Sequence, residues 1–235
     1  MKKIAISILS LLWISILAAT PASAVGFGFG GTGSYIQVEA DGKETDQGDT
    51  SDSSVRTKSV TNDAVIGSLY LELTAGENNG FALGFEHTPG SADVSDKTHT
   101  RTDTETSVSG DATANSDSRE FKAAAEIENF NVTYIEVPFR NLYFRYGISE
   151  LDVNTQETAS SNGGSYPNAT IDGQQYGIGF KGIRGNSLRW KVGYEMNDFD
   201  GLSIDSTGNS TDSSANRLTA DLDTWSFKLA LGYQF

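Results

Sequence analysis

The chain has 235 residues, a formal net charge of -14 and no cysteine. A negative charge of this size argues against binding to nucleic acid, because the phosphates would repel it. The absence of cysteine excludes a disulfide framework and thiol chemistry. Hydrophobic residues make up 37% of the chain, a low share for a protein with one large apolar core.

The first 24 residues have the three parts of a secretory signal. Two lysines precede an uncharged run over 4–19, and an Ala-Ser-Ala cleavage site follows the helix breaker Pro21. The run is short for a membrane-spanning helix, which needs about 20 apolar residues. We therefore expect a signal peptide over 1–24 and a mature domain over 25–235, whose net charge is -16 once the two lysines are subtracted from -14.

The expected mature protein begins with apolar residues that alternate in two opposite phases. These are Val25, Phe27 and Phe29 in one phase and Ile36, Val38 and Ala40 in the other. A bulge among Gly30, Gly31 and Gly33 would bring both sets to one face of a single strand. The Asp, Gly, Ser and Thr residues over 41–63 then predict a long exposed loop.

Two alternating segments joined by a tight turn at Ala75 to Gly80 predict strands two and three. The predicted outward residues are Val65, Leu69, Leu71, Leu73, Phe81, Leu83 and Phe85. Within the polar segment 89–118, Thr occupies every second position from Thr98 to Thr106. Because Thr favours strands, we expect a hairpin that continues strands three and four into water, with a disordered loop as the alternative.

The remaining segments predict strands four to seven. Strand four lies within 119–140, and a bulge near 129–131 would reconcile its two apolar faces. Strand five starts at Leu142, strand six includes Tyr176 to Lys181, and strand seven runs from Leu188 to Met196. The polar segments 152–172 and 198–223 predict long exposed loops.

The last eleven residues alternate most clearly. Apolar side chains occupy every second position, at Trp225, Phe227, Leu229, Leu231, Tyr233 and Phe235. The length fits a tilted strand that crosses a bilayer in about 9–11 residues, and the aromatic residues lie towards its two ends. This segment resembles the closing strand of a bacterial outer-membrane barrel. The resemblance implies a Gram-negative outer-membrane location and an assembly signal, at Tyr233 and Phe235, for the barrel assembly machinery.

The strand series predicts an all-β fold, an eight-stranded antiparallel up-and-down transmembrane β-barrel with long extracellular loops. It resembles the small OmpA/OmpX-type, porin-like barrels, whose interior is just wide enough to be filled by side chains. The alternative is a soluble periplasmic β-protein. That fold would need a second sheet to cover outward residues such as Trp190 and Leu229.

The inward positions of the predicted barrel carry opposite charges. The acids are Glu72, Glu86 and either Glu126 or Glu136, with Glu195 further along; the bases are Arg145, Lys181, Arg189, Lys191 and Lys228. Buried charges must pair, so we predict a lumen plugged by salt bridges. A proton or ion path through the same residues is the rival. A narrow channel for small solutes, lined by Gly147, Gly177, Gly179, Gly193 and Gly232, is the alternative function.

Catalytic and metal-binding patterns are incomplete. His87 and His99 are the two histidines, and a lipid-modifying enzyme built on His87 would need Glu86, which points to the opposite face of the strand. Asp198, Asp200 and Gly201 match only part of a calcium loop. We expect no enzyme activity, no cofactor and no specific metal site.

The predicted function is therefore structural. We expect a monomer that contributes to adhesion or envelope stability through its acidic loops. Its expected partners are outer-membrane lipid and lipopolysaccharide, with divalent cations possible at the loops. Fold alone does not choose among the functions of such barrels.

Overall fold

The computed structural model describes residues 25–45, 55–76, 80–94, 99–106, 116–158, 166–185, 187–206 and 217–235. The regular elements in these ranges are all strands: β1 (Val25–Thr45), β2 (Val55–Ala75), β3 (Phe81–Asp93), β4 (His99–Thr106), β5 (Ser116–Phe139), β6 (Leu142–Thr158), β7 (Ala169–Arg184), β8 (Leu188–Phe199), β9 (Leu202–Asp205) and β10 (Arg217–Gln234). Within the described ranges, no helix is long and apolar enough to span a bilayer.

Eight of the strands form a closed antiparallel ring. Their order is β1-β2-β3-β5-β6-β7-β8-β10, and β10 pairs with β1 to close the ring. The two remaining strands are extensions: β4 pairs with the first eight residues of β5, and β9 pairs with the start of β10. The predicted eight-stranded up-and-down barrel is confirmed.

The outer surface of the ring carries an apolar belt. Large hydrophobic side chains alternate with buried ones along the strands, and exposed examples include Phe29, Leu71, Phe144, Ile178, Val192 and Leu229. Aromatic pairs lie at both ends of the segment 225–235: the ring centroids of Tyr35 and Trp225 are 5.8 Å apart at one end, and those of Tyr233 and Phe235 are 5.0 Å apart at the other. A belt bounded by aromatic residues is the lipid-facing surface of a transmembrane barrel.

The strands continue well beyond this belt on the side of the long connections. The segments 38–45 and 217–224 pair residue by residue, and 36–45 also pairs with 55–64. We call these segments, with 150–158, the crown. The expected loops over 41–63, 152–172 and 198–223 were therefore wrong in extent, because Thr-rich and Asp-rich segments here complete backbone ladders. The other end of the barrel has short turns, at Arg140 for example, and we call it the turn side.

An apolar layer fills the inside of the barrel at crown level. It contains Ile36, Val38, Leu151, Val153, Ile171, Phe199 and Leu222, each at most 7% exposed. The expected bulge among Gly30, Gly31 and Gly33 was wrong, since β1 pairs with both neighbours without any register shift. Phe29 faces out and Ile36 faces in on one regular strand. The apolar residues of β1 therefore face the lipid at belt level and the lumen at crown level, which explains their two phases.

Among the described pairings, two register shifts occur, and both involve β5. The register between β5 and β6 changes between Glu128 and Asn131, and Asn129 has a φ of 51°. The predicted bulge near 129–131 is confirmed. The predicted water-exposed hairpin is also confirmed in its backbone pairing, between β4 and β5. Its tip at 107–115 and the link at 95–98 lie outside the described residues.

Candidate functional site: the charged lumen

Among the described residues, nine charged side chains point into the barrel, and each of these residues is at most 8% exposed. They are Glu72, Glu86, Glu136, Arg145, Lys181, Arg189, Lys191, Glu195 and Lys228. Strand alternation explains their direction, because each is flanked along its strand by outward-facing residues. Of the two glutamates left open by the sequence, Glu136 joins the buried set.

Four of these side chains form a closed cycle of alternating charge, which we call the crown-side ring. Arg145 donates to Glu86 at 2.7 Å and to Glu195 at 2.9 Å. Lys228 donates to the same two carboxylates, at 2.7 Å and 2.5 Å. Each charge therefore contacts two opposite charges, and the ring ties together β3, β6, β8 and β10 across the lumen.

The other five form the turn-side cluster. Glu72 accepts from Arg189 at 3.2 Å and is also paired with Lys191. Lys191 continues to Glu136 at 2.7 Å, and Glu136 pairs with Lys181 at 3.2 Å. Lys181 ends the series by donating to the backbone carbonyl of Gly80 at 3.0 Å. The cluster joins β2, β5, β7 and β8.

Tyr134 connects the two groups. Its hydroxyl donates to Glu72 at 2.7 Å in the turn-side cluster. The centre of its ring lies 3.4 Å from the guanidinium carbon of Arg145, which belongs to the crown-side ring. Tyr134, Tyr70 and Tyr143 are all buried, and Lys191 lies within 5.3–5.8 Å of each of their ring centroids. The alternation pattern alone does not reveal this layer of tyrosines, although all three occupy inward positions.

The inward glycines face these tyrosines. A methyl group at Gly193 would overlap the Tyr143 hydroxyl, and one at Gly232 would overlap that of Tyr70. The space beside Gly84 is similarly filled by Tyr134. The glycines therefore make room for large side chains on facing strands. The alternative function as a channel lined by open glycines loses its main support, since protein atoms occupy that space.

Within the described part of the barrel, the buried charges and the apolar layer lie one after the other along the axis. The charged groups fill the turn side of the lumen, and the apolar layer fills the crown level. Separating such buried pairs is costly, because removing one partner leaves an uncompensated buried charge. The chemistry that this site supports is structural cross-linking of the wall.

His87 and Glu86 do not come together in the described structure. The Nδ1 atom of His87 lies 2.8 Å from Asn131 Oδ1 on the outer face, whereas Glu86 points into the crown-side ring. The side chain of His99 lies outside the described set. Among the described residues, no group of three or more acids or histidines could hold a metal ion, and this includes the partial calcium loop at Asp198 and Asp200.

No protein-family model and no curated protein matches the chain. The outer membrane protein OprG from Pseudomonas aeruginosa is 13% identical over 90% of this chain and 96% of OprG, with a TM-score of 0.49. The outer membrane protein AlkL is 15% identical over 92% and 94%, with a TM-score of 0.43. Ail from Yersinia pestis is 13% identical over 87% and 99%, with a TM-score of 0.36. Likenesses this distant carry no argument about function.

Proposed function

We propose that this protein is a sealed, non-enzymatic barrel of the bacterial outer membrane, whose role is to hold its crown at the cell surface for adhesion or envelope stability. The observation that carries the proposal is the filling of the lumen by two kinds of buried side chains. Among the described residues, nine buried charges lie on the turn side of an apolar layer at crown level, and this supports a closed lumen. A sealed barrel leaves its outward surfaces as the parts that can meet other molecules.

The location and partners belong to the same proposal. Secretion through the signal peptide over 1–24 would bring the chain to the envelope, and the apolar belt suits lipid. Tyr233 and Phe235, which are 46% and 72% exposed, form the assembly signal. The acidic crown meets lipopolysaccharide through divalent cations, and the barrel acts as a monomer.

A shortened crown tests this function. Residues 38–62 are replaced by a two-residue turn, which removes the crown hairpin of β1 and β2 and leaves the belt and the charged lumen intact. Cells producing the shortened protein are expected to insert it in normal amounts, to bind surfaces less, and to become more sensitive to detergent. The matched control carries the same turn in place of residues 46–54 alone.

Two results would contradict the proposal. One is a shortened protein that inserts normally and leaves both surface binding and detergent sensitivity unchanged. The other is a loss of small-solute uptake as the main defect of cells lacking the protein, which would favour transport over a surface role.

A further inference from the structure

The sheet of the crown is interrupted beside β2. This strand begins at Val55 but pairs with β3 only from Leu69 to Ala75, whereas its other edge pairs with β1 along its whole length. β4 continues beside β5 in line with β3, and it pairs with β5 alone among the described strands. None of the described strands therefore pairs with the crown part of β2 on the side of β3 and β4.

β3 occupies the part of this edge that lies next to the belt. The hydroxyls of Ser68 and Thr88 are 2.7 Å apart, and Asn62 Nδ2 donates to the backbone carbonyl of Asp93 at 2.7 Å. Beyond Asn62 the strand continues over 55–61, and we call this segment the open edge. Strands are commonly about 5–6 residues long, so the open edge is long enough to pair with one further strand.

The residues of the open edge suit pairing with another strand. Its sequence, Val-Arg-Thr-Lys-Ser-Val-Thr, contains two valines and two threonines, which favour strands. It has no proline, and its register with β1 is unbroken, so it lacks the proline and the bulge that often protect a sheet edge. Thr57, Ser59 and Thr61, which face outwards, are exposed and uncharged. A row of backbone donors and acceptors is therefore open to a strand that approaches from this side.

The outer face of the sheet beside the open edge is acidic. Glu39 and Asp41 of β1 lie directly opposite residues of the open edge, and Asp223 and Asp221 of β10 lie directly opposite these two acids. All four acids are exposed. A strand added to β2 would run about 10 Å from β1, which is two strand spacings. Long basic side chains on the outer face of the added strand could reach Glu39 and Asp41 over this distance.

A second copy of this chain does not fit the open edge. β2 runs from the crown towards the membrane, so two copies in one membrane have their β2 strands in the same direction. This direction excludes an antiparallel pairing of the two open edges. A parallel pairing would set two acidic outer faces side by side, and like charges so placed are destabilising. The charges therefore favour a partner strand of opposite sign.

We propose that the open edge binds an extended segment of another protein by strand addition, and that this segment carries basic residues at alternate positions. The backbone hydrogen bonds to β2 provide the affinity. The acids of β1 and β10 select the basic side chains that face outwards. The inference rests on the proposed surface role of the crown, and it names the class of partner that the crown holds.

Binding of short peptides tests strand addition. The probe is a fluorescent Thr-Lys-Thr-Lys-Thr-Lys-Thr peptide with blocked termini, and its binding to the refolded protein in phosphatidylcholine nanodiscs is measured by anisotropy. The same peptide with glutamate in place of lysine should bind about tenfold more weakly. A lysine peptide that binds no better than the glutamate peptide, or no better than to empty nanodiscs, overturns the inference.

Methylated peptides separate strand addition from attraction between charges alone. A strand turns its N–H groups alternately to its two sides. Two lysine peptides are therefore prepared, with backbone N-methyl groups either on the lysines or on the threonines. One of them should lose binding and the other should keep it. Equal binding of the two overturns strand addition.

Matched charge variants locate the bound peptide. Glu39→Gln with Asp41→Asn should weaken binding of the lysine peptide about threefold. The control Asp198→Asn with Asp200→Asn makes the same change of charge at β8, three strands from β2. These positions lie about 19 Å from the added strand, beyond the screening length of about 10 Å in 0.1 M salt, and should leave binding unchanged. Equal weakening by both pairs overturns binding at the open edge.

The shortened crown, which lacks 38–62, separates this inference from the proposed function. It should lose binding of the lysine peptide, and retained binding overturns the open edge as the site. If cells with the shortened crown bind surfaces less but the intact protein does not bind the lysine peptide, the surface role stands and strand addition is overturned. Heat-modifiable gel migration verifies that each variant is folded.

Discussion

Glu72 is the carboxylate on which the turn-side cluster depends. It pairs with Arg189 and Lys191 and accepts from Tyr134. Glu72→Gln leaves two buried cations with one carboxylate fewer, and we expect a loss of about 3–5 kcal/mol in the free energy of unfolding. Urea unfolding in lipid vesicles measures it. The exposed Glu150 provides the control Glu150→Gln, which should change stability by less than about 0.5 kcal/mol. If Glu72→Gln and Glu150→Gln change the free energy of unfolding equally, the ion pairs of Glu72 do not stabilise the barrel.

Gly193 tests the fit between glycines and tyrosines. Gly193→Ala should cost about 1–3 kcal/mol, because the new methyl group overlaps the Tyr143 hydroxyl. Tyr143→Phe removes that hydroxyl, so the double variant should recover most of the loss in a double-mutant cycle. A methyl group at Gly33 would meet no atom within 4 Å, and Gly33→Ala should be nearly neutral. If the stability losses of Gly193→Ala and Tyr143→Phe simply add in the double variant, the overlap with the Tyr143 hydroxyl is not the cause of the Gly193→Ala loss.

Asp223 lies in the crown, and its pKa is raised above 3.8 by partial burial and then by Asp198, Glu39 and other nearby carboxylates. The folded state therefore prefers the protonated acid. Its stability is greatest below the ordinary pKa and falls as pH rises through the raised pKa. We expect Asp223→Asn to stabilise the protein at neutral pH and low salt, by less than about 1 kcal/mol because solvent screens the charges.

The gain from Asp223→Asn should vanish at acid pH and shrink in high salt, as thermal unfolding across pH would show. Asp205 supplies a control of opposite sign, since its hydrogen bond from Arg217 lowers its pKa. Asp205→Asn should give no gain at any pH. A gain from Asp223→Asn that does not depend on pH would rule out charge repulsion as the cause.

Residue alternation points eight of the nine buried charges into the lumen, because a charged residue between two lipid-facing residues has only the lumen to point into. It could not choose between Glu126 and Glu136, since the bulge in β5 changes the register between them. The buried tyrosines could not be predicted from the sequence, because the type of residue does not fix its environment. Tyr70, Tyr134 and Tyr143 can face lipid, an interface or a polar interior equally well. The feature that indicates a buried tyrosine is a glycine opposite it. Matching Gly193 to Tyr143 requires the three-dimensional arrangement of the strands.

The crown is the element whose stability the sequence least suggested. Its inside is apolar, and Leu151 is 2% exposed within that layer. Leu151→Ala should cost about 2–5 kcal/mol by leaving a cavity and should loosen the crown locally. Hydrogen–deuterium exchange is expected to rise at 150–153 and 36–40 and to stay unchanged in the belt segment 225–233. An equal rise of exchange in 150–153, 36–40 and 225–233 would contradict a crown with its own core.

Apolar alternation alone does not show whether an apolar residue of β1 faces the lipid or the lumen. The sequence predicts a bulge in β1 only if Ile36 and Val38 face lipid, as Phe27 and Phe29 do. In fact the lumen changes from charged to apolar along its axis, so one regular strand presents apolar residues first outwards and then inwards. The bulge in β5 was predictable because its apolar residues change phase along the strand. Ile127 and Phe130, on either side of the register shift, both pack against the apolar layer.

At the scale of the whole molecule, the barrel has two seals of different chemistry in series. Removing one member of a buried ion pair costs much stability, whereas an apolar core tolerates volume-conserving substitutions. Their combination makes the closed lumen robust. Neutralising Lys181, Arg189 and Lys191 should therefore destabilise the barrel without opening it, because the apolar layer remains in place.

Single-channel conductance in a planar bilayer tests the sealed lumen most directly. Refolded wild-type protein and the variant with Lys181, Arg189 and Lys191 neutralised should both insert without current steps. A further variant that also changes Arg145, Lys228, Ile36 and Phe199 to Ala removes the bases of the crown-side ring and part of the apolar layer. It should give steps, which verifies that insertion can be detected. Steady conductance of the wild-type protein, with an ion selectivity that changes on neutralising the three bases, would contradict a sealed barrel.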